Sequence, residues 1–212
     1  MSTETPAGEH ALIAILRGIT PEQAVAVGTT LYEAGIRALE VPLNSPTPFA
    51  SIAALAKCNL PGSLIGAGTV LTIEDVDRTG DAGGRLIVAP NCDVDVIRHA
   101  LRNSMQVMPG IATATEAFTA IRAGATSLKL FPAVTYGPAH LRALKAVLPA
   151  KVRVFPVGGI GAPDIKVWLA AGAAGFGFGS ELYKPEYTLQ EIAHRARTLV
   201  SALREARQPL TG

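Results

Sequence analysis

Lys129 interrupts the apolar run Ser127-Leu-Lys-Leu-Phe-Pro-Ala133, and a charged residue in that setting is the sharpest chemical signal in the chain. Strand alternation puts Leu128 and Leu130 on one face and Lys129 on the other. A lysine held away from water is biased toward the neutral amine, the nucleophile that condenses with a carbonyl to form a Schiff base. The run Ala38-Leu-Glu-Val-Pro-Leu-Asn-Ser-Pro46 repeats the pattern with Glu40 set against Leu39 and Val41. An inward acid beside an inward lysine is either an ion pair or a general acid/base. For the lysine, the plainer reading is a side chain that snorkels to water or pairs with one acid.

Further polar residues stand at the ends of other apolar runs. Arg17 ends Leu12-Ile-Ala-Ile-Leu-Arg-Gly18, and its planar guanidinium suits an anionic or hydroxylated substrate. Thr69 ends Leu64-Ile-Gly-Ala-Gly-Thr-Val70, where its hydroxyl either donates to a substrate carboxylate or caps a helix. Taken alone, capping is the stronger reading for Thr69, while Gly66 and Gly68 would keep the space near it open. Gly158-Gly159 and Gly179-Ser180 stand at the ends of the last two apolar runs, and glycine turns there let backbone N–H groups approach a phosphate. Tight turns also need glycine, so either pair alone is weak; two pairs at the two expected places carry more weight.

Eight apolar runs hold these residues: Leu12–Arg17, Ala38–Leu43, Leu64–Val70, Leu86–Pro90, Gln106–Ile111, Leu128–Ala133, Arg153–Ile160 and Gly175–Ser180. Their starts lie 20 to 26 residues apart, room for one strand, one helix and two loops. Helix signals fall between them. Thr20-Pro21-Glu22 and Ala162-Pro163-Asp164 open helices with proline and acid, and Thr72-Ile73-Glu74-Asp75 and Thr115-Glu116 place acids in first turns. Gly35, Gly124 and Gly172 read as helix C-caps. The reading is α/β: a single-domain (β/α)8 TIM barrel over residues 11–212, preceded by a frayed leader over residues 1–10. An open doubly wound sheet is disfavoured because no G-x-G-x-x-G follows the first run. In a barrel the strand C-termini share one face, so function is expected there.

Composition excludes other classes. The 212 residues are 49% hydrophobic and 17% charged with a net charge of +2, so the chain is not a disordered segment. No basic block points to nucleic acid. The longest charge-free runs, Val41–Ala56 and Cys58–Ile73, are 16 residues each and proline-broken, short of the roughly 20 that a membrane span needs. Met1–His10 lacks a signal-peptide pattern, and Cys58 and Cys92 form no CxxC, which together read as cytoplasmic. The four histidines are scattered, so neither a metal nor another cofactor is expected. Trp168 reads as packing, and Leu189–Arg207 as a solvated helix.

The blocks ILRGIT, EVPLNSP, IGAGTV, PGIATATEAFTA, LKLFPA, LKAVLP, VGGI and GS-x-LY resemble the Entner–Doudoroff-type KDPG/KHG aldolases from about Leu12 to Tyr183. The resemblance implies a homotrimeric barrel and a metal-free, lysine-dependent aldolase acting on a phosphorylated 2-keto-3-deoxy sugar acid. It implies Lys129 as the Schiff-base residue, Glu40 as the acid/base and Arg17 and Thr69 as substrate contacts. It also implies phosphate held by Gly158, Gly159, Gly179 and Ser180. Gluconate-type members carry arginine four residues after the catalytic glutamate; here that residue is Asn44, as in the galactonate-type branch, with dual specificity still open. Two rival classes remain at this level: a sugar-phosphate epimerase or isomerase barrel, and a non-catalytic binding module.

Overall fold

The computed structural model describes residues 11–208; the leader over residues 1–10 lies outside the described residues. Strands and helices alternate as β1 (Leu12–Ile15), α1 (Pro21–Glu33), β2 (Ala38–Pro42), α2 (Pro48–Lys57), β3 (Leu64–Gly68), α3 (Ile73–Asp81), β4 (Leu86–Val88) and α4 (Val94–Arg102). Then follow β5 (Gln106–Met108), β6 (Gly110–Ile111), α5 (Ala114–Arg122), β7 (Ser127–Leu130), α6 (Ala133–Lys145), β8 (Arg153–Pro156), a 3-10 turn (Ala162–Asp164), α7 (Ile165–Ala170), β9 (Phe176–Phe178) and α8 (Leu189–Arg207). Every strand pair is parallel, in the order β5-β4-β3-β2-β1-β9 and β6-β7-β8.

Two joints close these sheets into a cylinder. A parallel bridge between Val157 and Gly177 links the end of β8 to β9. Pro109 links β5 to β6, and its carbonyl accepts the N–H of Lys129 at 2.9 Å. The fifth apolar run is therefore two strands, because a proline has no N–H to continue the ladder at that point. The result, over the described residues, is a closed (β/α)8 barrel built from nine strand segments.

Its core has two parts. Leu16, Leu39, Val41, Ile52, Ile65, Ala67, Ile87, Leu128, Leu130 and Phe176 lie between the cylinder and the helices. Ile13, Ala38, Leu64, Leu86, Val88, Met108 and Phe155 form a separate cluster inside. Leu39 and Val41, and likewise Leu128 and Leu130, belong to the outer part, so Glu40 and Lys129 face inward as strand alternation requires. On β9 the outward residues are Phe176 and Phe178, stacked at 5.9 Å, and the inward one is Gly177. A Cβ on Gly177 would press on Val157 at 2.8 Å, so glycine there makes room for the opposite wall.

Helix ends follow the sequence signals in most places. Gly35, Gly124 and Gly172 take φ of 102°, 108° and 100°, the left-handed C-terminal geometry that glycine adopts without strain. α3 is capped by Thr72, whose Oγ1 accepts the Asp75 N–H at 3.1 Å, so the capping role considered for Thr69 belongs to Thr72. Thr113 and Glu116 form a reciprocal capping box at the start of α5. Trp168 is buried in the outer core. α8 departs from the fully solvated helix expected of it: Ile192, Ala196, Leu199 and Leu203 are buried along one side, and only its other faces are charged.

Candidate active site

The site is assembled at the C-terminal mouth of the barrel. Glu40 sits near the end of β2 and is 1% exposed; Lys129 sits near the end of β7 and is 7% exposed. Register fixes their neighbours, with Glu40 between Ile15 and Gly66 and Lys129 between Gly110 and Phe155. Lys129 is the one buried lysine among the described residues.

Gly68 makes space for the carboxyl group. A Cβ at that position would overlap Cδ and both oxygens of Glu40, so β3 must present a bare backbone there. Gly66 does a different job from the open interior expected of it: its missing side chain lets the Leu86 backbone of β4 approach. Gly68→Ala is expected to destabilise the fold by about 1–3 kcal/mol in urea melts, since the added methyl group must displace the buried Glu40 carboxyl from its place. Gly179→Ala is the control, because a methyl group added there would meet nothing within 4 Å and its stability should match wild type.

Burial dominates the electrostatics of the pair. It pushes the Glu40 carboxyl up to about 7, against the pull of Lys129 and Arg17, which favour the carboxylate. It also draws the Lys129 ammonium below the usual lysine range; Glu40 opposes that shift and Arg17 adds to it. Among the described residues the one ion pair within 4.0 Å is His99 with Asp77, so Glu40 and Lys129 act on each other at longer range. Oε2 of Glu40 is buried without a hydrogen-bond partner. Lys129 Nζ instead lies 4.8 Å from the centre of the Phe131 ring, whose π face attracts a cation.

The other expected residues gather at the same mouth. Arg17 is exposed just beyond β1, and its Nη1 donates to Asn44 Oδ1 at 2.5 Å. Thr69, half-buried directly after Gly68, has φ of 58°, a left-handed conformation that is costly for a β-branched residue and concentrates at functional sites. Gly158 and Gly159 follow β8 with φ of 97° and 71°, and a Cβ on Gly158 would touch the Phe131 ring at 3.4 Å. Gly179 and Ser180 follow β9, with Gly179 half-buried and Ser180 exposed. No acceptor among the described residues takes the N–H of Gly159, Gly179 or Ser180. Phe131 and the Arg17–Asn44 contact were not anticipated as such. Phe131 was findable, since period-2 alternation puts it on the inward face two residues after Lys129.

A closed parallel barrel with a buried amine and a buried carboxyl group at its C-terminal mouth fits the aldolase class of carbon–carbon lyases. More narrowly, residues 5–195 match the family described as KDPG and KHG aldolase, and the chain belongs to that family. The 2-dehydro-3-deoxy-6-phosphogalactonate aldolase of Escherichia coli K12 is 49% identical over 197 residues, covering 93% of this chain and 96% of that one. A probable enzyme of the same name from Rhizobium meliloti strain 1021 is 47% identical, covering 93% of both chains. The solved native KDPGal structure matches with a TM-score of 0.92 at 47% identity over 99% of each chain.

Proposed function

We infer that the protein is a Schiff-base aldolase that cleaves 2-dehydro-3-deoxy-6-phosphogalactonate to pyruvate and D-glyceraldehyde 3-phosphate. The observation that carries this reading is a buried Lys129 amine at the same barrel mouth as a buried Glu40 carboxyl group, with burial lowering the proton affinity of the one and raising that of the other. The choice of sugar acid rests on the names of the two relatives above.

In this mechanism Nζ of Lys129 adds to the C2 ketone, and loss of water leaves an iminium ion. Glu40 takes the proton of the C4 hydroxyl as the C3–C4 bond breaks. The electron pair of that bond moves into the iminium, giving an enamine and releasing the aldehyde phosphate. Glu40 returns a proton to C3, and hydrolysis frees pyruvate and the amine. A carboxyl group with a proton affinity near 7 suits both halves of that exchange. Arg17 and Thr69 hold the substrate carboxylate, and the turns at Gly158-Gly159 and Gly179-Ser180 hold the phosphate with backbone N–H groups.

A coupled assay of pyruvate release, run side by side on the galactonate and gluconate epimers, tests the assignment. Faster turnover of the galactonate epimer is expected; no release from either would reject the function. Ser180→Asp tests the phosphate site by adding a negative charge there. It should raise KM for the phosphorylated substrate by about tenfold or more and leave the unphosphorylated analogue nearly unaffected. Equal losses on both would remove the phosphate from this loop. A homotrimer belongs to the same reading, and sedimentation should give three times the 22.0 kDa chain.

A further inference from the structure

An arginine at the edge of a barrel mouth is useful only if something stops it from sweeping through solvent. Arg17 is exposed, yet it lies close enough to Glu40 and Lys129 to bias the charge of both. One side-chain hydrogen bond fixes it, from Nη1 to Oδ1 of Asn44 at 2.5 Å. The loop carrying Asn44 is itself anchored. Leu43 N–H donates to the Gly68 carbonyl at 2.8 Å, and Ser45 N–H donates to the Pro42 carbonyl at 2.9 Å. The buried Ser45 Oγ accepts the N–H of Gly18, the residue after Arg17, at 2.9 Å. Both ends of the Arg17–Asn44 contact are thus tied to the strands that carry Glu40 and its glycine cradle.

We propose that Asn44 is the positioning residue for Arg17, fixing its guanidinium over the barrel mouth without itself touching the substrate. The proposal rests on the reading of Arg17 as a substrate contact. An asparagine suits the task because its amide oxygen is neutral. It orients the guanidinium while leaving the full positive charge and four of five N–H donors for an anionic partner. An aspartate there would hold the same geometry and cancel the charge.

The test is a double-mutant cycle on the full chain, with KM and kcat measured on the phosphorylated 2-keto-3-deoxy sugar acid. Asn44→Ala should raise KM about tenfold while kcat stays within about twofold, the signature of a lost ground-state contact. In an Arg17→Ala background the same change should add less than about twofold, since the residue it acts through is gone. If Asn44→Ala matches wild type while Arg17→Ala raises KM, the positioning role is overturned and the role of Arg17 stands. If the tenfold loss persists without Arg17, Asn44 acts on something else and the proposal is likewise overturned. If Arg17→Ala leaves KM unchanged, the reading of Arg17 itself fails and takes the proposal with it.

Discussion

Borohydride reduction in the presence of pyruvate should label Lys129 and no other lysine, and Lys129→Met should lose activity on the order of 10⁴-fold or more while keeping its fold. Selectivity follows from environment. The six lysines are Lys57, Lys129, Lys145, Lys151, Lys166 and Lys184, and of these only Lys129 is buried. The others are exposed or half-buried, outside the barrel interior. Burial lowers the proton affinity of Lys129, which favours the free amine there. Arg17 pushes the same way, so Arg17→Ala should move the alkaline limb of trapping to higher pH. The methionine variant should fold because an apolar chain of similar length fills the same wall beside Phe155. Label on any other lysine, or no label at all, would remove the covalent step and with it the proposed mechanism.

The two residues at the centre of this chemistry were legible because a charge in a buried strand is costly and is kept only where it is paired or used. Leu39, Glu40 and Val41 alternate as Leu128, Lys129 and Leu130 do, and a parallel barrel turns both central residues inward. The eightfold repeat was legible for a related reason, since strands buried on both faces read as apolar runs. Pro109 hid the break between β5 and β6: the run stays apolar across it, and only the missing N–H interrupts the ladder. The capping role weighed for Thr69 is filled by Thr72, where the sequence already placed acids in the first turn, and side-chain chemistry alone does not separate the two threonines. What separates them is backbone, with Thr69 at φ of 58° and Thr72 extended at −134°. The buried side of α8 was present in the spacing of Ile192, Ala196, Leu199 and Leu203, but the surrounding Arg and Glu masked it. The Arg17–Asn44 hydrogen bond spans 27 residues between two loops, and no local pattern encodes such a pairing.

Glu40→Gln should separate activity from stability and move them in opposite directions. The amide keeps the shape of the carboxyl group in the cradle of Gly68 but cannot take a proton from the C4 hydroxyl. Turnover should fall by roughly 10²–10⁴-fold, the usual contribution of a positioned acid/base. Iminium trapping with pyruvate should persist, more slowly, because the nucleophile is intact but the proton transfers that build the iminium lose their acid/base. Stability follows from the raised proton affinity of Glu40. An unfolded glutamate ionises near 4.5, and the folded one near 7. The preference of the fold for the protonated form is complete below 4.5 and is lost as pH rises through 7, where the buried carboxylate costs about 3 kcal/mol. Glutamine carries no such charge, so the variant should be more resistant to urea than wild type at pH 8 and lose that advantage at pH 5. Wild-type turnover in the variant would end the acid/base role. An absent advantage at pH 8 would instead mean that Glu40 ionises there without penalty, and a carboxylate so well accommodated would be a poor base for the C4 hydroxyl.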